Sequence, residues 1–214
     1  MTLVEEVEVK LRDAILTGEY KTGERLIEAD LAQKYQVSRP VLREALRNLG
    51  GTGIVTYYSN KGHHVTKFTI KQVEEIYDVI TLLQGFACEL SVPFFKQRDI
   101  DFLKALNQQM KGFAHKQDYR AYRKLNDSLH EKFAIMSGNE VLRDTVTKLM
   151  TSAFMYRYIA VMIPNAMEGY CKELETIING VEMKDARRTK MGMQRHMQTV
   201  KNNLIRVLKQ SPLA

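Results

Sequence analysis

The segment at residues 38–49 limits the possible folds of this chain most strongly, because its residue types separate onto two faces of a helix. Its apolar residues share one face and are Leu42, Ala45, Leu46 and Leu49. Arg39, Arg43 and Arg47 stand four residues apart, so they form a stripe on another face. Ser38 is a favourable N-cap for this helix. Since like charges at this spacing destabilise an isolated helix, the stripe indicates a polyanionic partner.

Two further helices and a β-hairpin are predicted around this segment. The apolar residues of the first helix recur at helical spacing and are Val4, Val7, Leu11 and Ile15. Gly18 ends that helix as a C-cap residue, and the second helix begins near Glu28. Residues 54–58 and 63–68 are predicted strands, with Lys61 at the tip of the turn between them. Three helices followed by a two-stranded hairpin, the wing, predict a winged helix-turn-helix.

The basic charge of the chain is concentrated in the same region. The whole chain carries a formal net charge of +7. Residues 34–67 hold six basic residues and one acidic residue, whereas residues 1–33 hold four basic and eight acidic residues. A basic region within a helix-turn-helix favours nucleic-acid binding over a structural three-helix unit whose arginines are merely solvated. We therefore predict that residues 1–68 form a DNA-binding domain.

The bulk composition is that of a globular protein, with 44% hydrophobic and 27% charged residues. No apolar run approaches the roughly 20 residues that a membrane span needs. The N-terminus carries Glu5, Glu6 and Glu8, which is the wrong charge for a signal peptide. Cys88 and Cys171 lie far apart and form no CxxC pair, so a reducing compartment is the simplest interpretation. These features predict a cytoplasmic location.

Residues 69–214 are predicted to form a second, all-α domain. Six amphipathic segments follow one another, at residues 70–87, 100–113, 119–133, 142–157, 167–178 and about 185–209. Pro93, Gly138, Pro164 and Gly180 mark breaks between them. Six such helices form a six-helix bundle with its own core, which makes the whole chain mostly α. The sequence has no glycine-rich phosphate loop, HExxH motif or nucleophile elbow, so an enzyme is not expected.

The N-terminal sequence resembles a known family. The runs Leu-Arg-Asp-Ala-Ile-Leu-Thr-Gly at residues 11–18 and Ser-Arg-Pro-Val-Leu-Arg-Glu-Ala-Leu at residues 38–46 are similar to those of the GntR family of bacterial regulators. The resemblance implies a set of residues that contact operator DNA: Ser38, Arg39, Arg43, Arg47, Asn60, Lys61 and Gly62. In this scheme the wing enters the minor groove, Arg47 reaches a phosphate, and Glu44 is an internal partner that holds the helices together.

The helical domain resembles the ligand-binding (FCD) domain of the FadR subfamily of these regulators, in its six-helix VanR-type form. The resemblance rests on Asn-Asp-Ser-Leu-His at residues 126–130, Ser-Gly-Asn at residues 137–139, and a final helix that contains His196. It implies a pocket for a small-molecule effector. The predicted effector-pocket residues are Asn126, His130, Arg157, Cys171, Leu174 and His196.

The chemical class of the effector stays open at the level of sequence. Ile80 and Gln84 stand where the subfamily usually carries Arg and Glu, which weakens the case for a carboxylate effector. Arg157 could supply a replacement charge or be an ordinary surface arginine. Methionines such as Met150 and Met162 leave a more apolar effector open, although methionine also simply fills gaps in cores.

Many members of that subfamily hold a divalent metal through an Asp or Asn, a His four residues later, and one His from each of the last two helices. Here the corresponding residues are Asn126, His130 and His196, while Leu174 occupies the position of the middle His. A zinc, nickel or manganese ion would lack one imidazole, and zinc normally has three or four protein ligands. Cys171 could replace it as a thiolate, or be a small buried hydrophobe. Without a metal, the two histidines are expected to hydrogen-bond each other or a water, or to contact an organic effector.

These features predict a ligand-responsive, sequence-specific DNA-binding transcriptional regulator that acts as a repressor. The helical domain would also mediate dimerisation, and a homodimer would place two recognition helices on a pseudo-palindromic operator. Effector binding would shift the dimer between arrangements that fit or misfit the operator. Two alternatives remain open: a constitutive DNA-binding protein with a degenerate sensor pocket, and a metal-dependent enzyme built on the helical bundle.

Overall fold

The computed structural model describes residues 2–210, apart from the side chains of residues 16 and 155. The chain folds as two compact units, with the boundary between Phe68 and Thr69. The described strands all lie in the first unit, and α-helices dominate both units. The predicted mostly α fold class is therefore confirmed, and two details of it differ.

The first unit combines three helices with a small antiparallel sheet. Its elements are α1 (Leu3–Leu16), β1 (Arg25–Leu26), α2 (Glu28–Tyr35), α3 (Arg39–Gly51), β2 (Val55–Tyr58) and β3 (Gly62–Val65). Helix α1 begins at a capping box in which Thr2 and Glu5 each accept from the other's backbone N–H. The apolar faces of α1 and α3 pack together and bury Leu11, Ile15 and Leu42 fully. This packing leaves the arginine face of α3 toward solvent.

The sheet has three strands rather than the predicted two, in the order β1-β3-β2. The additional strand β1 pairs with β3 and places Leu26 opposite His63. Backbone bonds on either side hold it, since Gly23 N–H donates to the Val65 carbonyl and Val65 N–H donates to the Glu24 carbonyl, each at 2.9 Å. A two-residue strand is too short to show an alternating pattern in the sequence. Its effect is to tie the wing to the start of α2.

The second unit is a helical bundle. Its helices are α4 (Ile70–Ser91), α5 (Gln97–His115), α6 (Tyr119–Met136), α7 (Glu140–Ser152), α8 (Phe154–Met162), α9 (Ala166–Glu182) and α10 (Ala186–Gln210), with a 3-10 turn at Val92–Phe94. Helix α4 packs against α6, α7 and α10, and α9 packs against α5 and α10. No helix in the described part of the chain is long and apolar enough to cross a membrane.

The described bundle contains seven α-helices instead of six, because the predicted fourth helix is split. Helix α7 ends at Ser152 and α8 begins at Phe154, with Ala153 between them. The Ser152 hydroxyl donates to the Leu149 carbonyl at 2.9 Å, and bonds of this kind compete with the helical ladder. Helix α8 then packs against α6, α9 and α10 and brings Arg157, only 11% exposed, into the bundle.

Gly180 does not end α9 as predicted, since the helix continues to Glu182. The glycine instead lets α10 approach closely, because a Cβ at this position would lie 2.6 Å from Thr189 Oγ1. The chain then reverses, and the Asp185 N–H donates to the Gly180 carbonyl at 2.9 Å. This tight connection fixes the position of α10, the helix that carries His196.

Candidate nucleic-acid interface and effector cavity

Helix α3 presents the predicted DNA-contacting arginines to solvent. Arg39, Arg43 and Arg47 are all exposed, because the opposite face of the helix is buried in the first unit. Ser38 occupies the N-cap position and is exposed, but its side chain makes no capping hydrogen bond within the described helix. Its hydroxyl is therefore accessible at the same end of the helix as Arg39.

The turn between β2 and β3 brings the three predicted wing residues together. Asn60 (φ 63°) and Gly62 (φ 82°) adopt the left-handed backbone conformation that tight hairpins use. The Lys61 N–H donates to the Tyr58 carbonyl at 3.0 Å, which closes the turn. The Lys61 side chain is exposed at its tip. The turn thus presents a solvent-exposed cation.

A carboxylate from α2 engages Arg43. The Nε of Arg43 donates to Oε2 of Glu28 at 2.6 Å, and the other carboxylate oxygen lies 3.5 Å from Nδ1 of His63 on β3. Burial lowers the pKa of His63, and the Glu28 carboxylate partly opposes that shift. The predicted internal role of Glu44 is wrong, because Glu44 is exposed. Glu28 makes the polar contact between α2 and α3.

A groove of about 870 Å³ lies between α3 and the wing. Arg43 and Arg47 lie on its α3 side, and Tyr57 and His63 lie on its wing side with ring centroids 5.0 Å apart. The sequence does not single out Glu28, Tyr57 or His63, because contacts between separate elements leave no periodic signal. In the sequence, Glu28 lies 15 residues before Arg43 and looks like an ordinary acidic residue at the start of a helix.

A second candidate site lies inside the helical unit. A cavity of about 30 Å³, enough for a water-sized group, is lined by these polar side chains among others: Tyr77, Tyr122, Arg123, Asn126, His130, Arg157, Tyr170 and His196. Four predicted effector residues, Asn126, His130, Arg157 and His196, therefore meet around one space contributed by α6, α8 and α10. Cys171 and Leu174 are buried outside its described lining.

The two histidines stack instead of hydrogen-bonding each other. Their ring centroids are 5.7 Å apart with an interplanar angle of 24°. Nδ1 of His196 lies 2.8 Å from Oε2 of Glu173, whose other oxygen accepts from the Thr199 hydroxyl at 2.7 Å. This pair of contacts orients the His196 ring. Burial, followed by the charges of His196 and Arg157, holds the pKa of His130 well below its usual value, so His130 is neutral near pH 7.

The residues at this site do not fit a divalent metal. Within the described part of the chain, no group of three or more His, Cys, Asp or Glu side chains is placed to hold an ion. Leu174 is fully buried, and Sγ of Cys171 faces the Tyr122 hydroxyl at 4.0 Å. Burial raises the pKa of Cys171 to about 11, which disfavours a thiolate. Two imidazoles and the Asn126 amide are fewer strong ligands than protein zinc sites use.

Three buried polar atoms around the cavity have no hydrogen-bond partner among the described residues: the Tyr77 hydroxyl, Nδ1 of His130 and Nε of Arg123. Each such group costs about 1–3 kcal/mol when it stays unpaired. Arg157 pairs with Asp127, and Arg123 lies 3.4 Å from the same carboxylate. Burial lowers the pKa of Arg123 to about 10, so it remains protonated near pH 7. Two guanidinium groups thus share the Asp127 carboxylate beside the cavity.

An outer recess of about 210 Å³ adjoins the cavity. The two spaces share His130, Met150 and Arg157 as lining residues. The recess adds Gln84, whose buried Oε1 has no hydrogen-bond partner in the part of the chain that is described. Unpaired polar atoms therefore continue from the cavity into the recess. The recess, which Asp127 and Glu131 also line, is smaller than the sites that usually hold drug-sized ligands.

A winged helix with a solvent-facing arginine stripe, in one chain with a helical unit whose cavity is lined in part by arginine, histidine and tyrosine side chains, defines a class of DNA-binding regulators that carry their own sensor. The model of the FCD domain matches residues 75–199, and the model of bacterial regulatory proteins of the gntR family matches residues 3–65. The chain belongs to the GntR family, within the group that carries an FCD domain. It is a DNA-binding transcriptional regulator with an effector-binding domain and not an enzyme.

Individual relatives agree with this assignment. The chain is 27% identical over 188 residues to the uncharacterised HTH-type transcriptional regulator YdhC of Bacillus subtilis, covering 87% of this chain and 84% of the relative. It is 33% identical over 105 residues to the gluconate operon transcriptional repressor of the same organism, covering 49% and 43%. The solved structure of Escherichia coli McbR/YncC shares the fold at a TM-score of 0.77 and 21% identity, covering 98% of both chains.

Proposed function

We propose that this protein is an effector-controlled repressor that binds a pseudo-palindromic operator as a homodimer. The observation that carries the proposal is the exposed arginine face of α3, which stands free of the buried core. Helix α3 of each copy enters a major groove, and the wing enters the adjacent minor groove. The helical unit holds the effector and joins the two copies. Because the operator lies on the bacterial chromosome, the protein acts in the cytoplasm.

Each DNA contact has a chemical basis. Arginine matches the O6 and N7 acceptors of guanine, so Arg39 and Arg43 are proposed to read bases while the Ser38 hydroxyl supports them. Arg47, farther along the helix and beside the groove, contacts a phosphate. Lys61 enters the minor groove, where Asn60 and Gly62 give the turn its shape.

The effector is proposed to be a small molecule with oxygen acceptors, such as a carboxylate or phosphate. The Tyr77 hydroxyl and the Nε–H of Arg123 are donors without acceptors among the described residues, and Arg123 and Arg157 share the one carboxylate of Asp127. A purely apolar effector would leave these groups unpaired. Cys171 and Leu174 are not part of this proposal, since both lie outside the described cavity lining.

The same geometry suggests how an effector would act. An anionic effector competes with Asp127 on α6 for Arg157 on α8, and so changes the contact between these two helices. The change would shift the equilibrium between dimer arrangements. The free energy of this shift equals the difference between the effector's binding free energies for the two arrangements. Release from the operator is the expected outcome for a repressor.

The DNA contacts are tested by selecting duplexes from a random-sequence library and measuring their affinity by fluorescence anisotropy. We expect Arg39→Ala and Arg43→Ala each to reduce discrimination between the selected duplex and a scrambled one by about tenfold or more. Lys61→Ala weakens binding to both duplexes and lowers the salt slope by about one. Arg98→Ala, at an exposed position on α5, is the control. Full discrimination in both α3 variants would contradict the assignment.

The effector class is tested by thermal unfolding and operator affinity in the presence of succinate, citrate, inorganic phosphate, and an uncharged alcohol of similar size. At least one anion should raise the Tm of the wild-type protein and weaken operator binding. Arg157→Gln should lose both effects, whereas Arg195→Gln, at an exposed position on α10, should keep them. Stabilisation by the alcohol alone, or by anions independently of Arg157, would overturn the proposed class.

A constitutive regulator is the second candidate function. The inner cavity favours it, because about 30 Å³ admits only a water-sized group unless the helices move. Operator affinity that no small molecule changes, together with native mass spectra showing protein without added mass, would support this candidate over effector control.

A further inference from the structure

Glu28 lies where three DNA-facing elements meet. It is the first residue of α2, it pairs with Arg43 of α3, and its second oxygen approaches His63 of the wing. Its side chain is 25% exposed, while that of Arg43 is 63% exposed. Strand β1 pairs with β3 and ends at Leu26, so only one residue separates the sheet from Glu28. The backbone around the carboxylate is therefore fixed by hydrogen bonds on one side and a helix on the other.

Glu28 bonds to one guanidinium nitrogen of Arg43, and which nitrogen it is determines which of the others remain free to contact DNA. The carboxylate accepts from Nε at 2.6 Å, and no other described side chain accepts from the two terminal nitrogens. Those nitrogens lie beyond Nε in a side chain that is 63% exposed, so they can approach a base edge end-on. A blocking ion pair would cover the terminal nitrogens instead. The contact therefore orients the guanidinium group without occupying its recognition edge.

We propose that Glu28 is a positioning residue that sets the base specificity of Arg43. It holds the guanidinium in the orientation that reads a base and disfavours its alternative contact with a phosphate. The inference rests on the proposed function, in which Arg43 contacts the operator.

Two physical effects support this role. An unrestrained arginine loses much rotamer freedom when it binds, and a side chain that is already held avoids most of that loss. The Glu28 carboxylate also repels a phosphate that approaches Arg43, whereas the acceptors of a base edge carry only partial charges. Sequence specificity rises when the contact of Arg43 with a phosphate is disfavoured and its contact with a base edge is favoured. Glu28 would thus lower sequence-independent binding while it supports base reading.

The test uses the full-length protein and the duplex selected from the random library. Arg43→Ala first identifies the base pair at which preference depends on Arg43. Glu28→Ala should reduce preference at that base pair by at least about fivefold, while affinity for a scrambled duplex stays equal or rises. Glu28→Gln should lose less, since its amide oxygen can still accept from Nε but lacks the charge. Asp30→Ala removes an exposed carboxylate from the same turn of α2 and should behave as wild type.

The results distinguish a failure of the positioning role of Glu28 from a failure of the operator contact of Arg43. If Glu28→Ala keeps the wild-type base preference, the inference is wrong. It is also wrong if Glu28→Ala and Glu28→Gln both lose affinity for the selected and scrambled duplexes by one common factor, because that result marks a merely structural role. If Arg43→Ala leaves every base preference intact, the assignment of Arg43 to the operator fails, and the inference fails with it.

Discussion

Two carboxylates, Glu28 in the first unit and Glu173 in the second, make the same kind of contact with a basic side chain. Glu28 accepts from Nε of Arg43, and Glu173 lies 2.8 Å from Nδ1 of His196. Each engages one nitrogen of a side chain whose remaining nitrogens we propose to contact a ligand. Outer carboxylates of this kind orient the side chains that contact ligands. At the scale of residues, Glu28 and Glu173 fix the orientation of side chains whose identity the sequence already shows.

His63 reports on the Glu28 contact through its pKa. Burial, Arg43 and His64 lower this pKa, while Glu28 raises it. Wild-type His63 should therefore titrate below its ordinary value, Glu28→Gln should lower its pKa further, and Arg43→Ala should raise it. The measurement is an NMR titration of the His63 ring in the full-length protein, assigned with His63→Gln. Asp30→Asn is the control with an unchanged pKa. Equal His63 pKa values in wild type and Glu28→Gln would show that the carboxylate does not influence the ring.

At the scale of elements, most helices follow from apolar periodicity, and each exception has an identifiable physical cause. Strand β1 has two residues and so shows no period. The separation of α7 from α8 at Ala153 accompanies a bond from the Ser152 hydroxyl to a carbonyl, which periodicity does not register. Glycine is typical of helix ends, but at position 180 it is the close approach of Thr189 that requires a glycine. Strand β1 and Gly180 depend on contacts between segments, whereas the break at Ala153 accompanies a hydrogen bond within one segment.

The two candidate sites differ in how far the sequence predicts them. The proposed DNA-contacting residues lie in one continuous motif and one turn, so their pattern is visible along the chain. The cavity draws side chains from several helices, and Tyr77, Arg123 and Gln84 each look like ordinary helix residues in the sequence. Their significance appears only when their unpaired atoms are found around one space. Both residue sets remain predictions until binding is measured.

At the scale of the whole molecule, each copy of the chain carries one α3 and one wing. A single recognition helix covers one half-site, and arginine contacts with so few base pairs give limited affinity. Joining two copies makes the second contact intramolecular and raises the overall affinity without any new contact. In the homodimer that we propose, the arrangement of the two copies sets the spacing of the half-sites. An effector that alters the dimer arrangement alters this spacing requirement.

The homodimer is tested by the spacing of the operator. The selected duplex should contain two related half-sites whose centres lie about 10 base pairs or a multiple of that apart. Inserting five base pairs between them turns the second half-site by about half a helical turn, so affinity should fall at least about 100-fold, toward that of a duplex with one half-site. Native mass spectrometry should count two chains on the original duplex. A single bound chain, with affinity unchanged by the insertion, would show that one copy recognises the whole site and that the dimer plays no part in recognition.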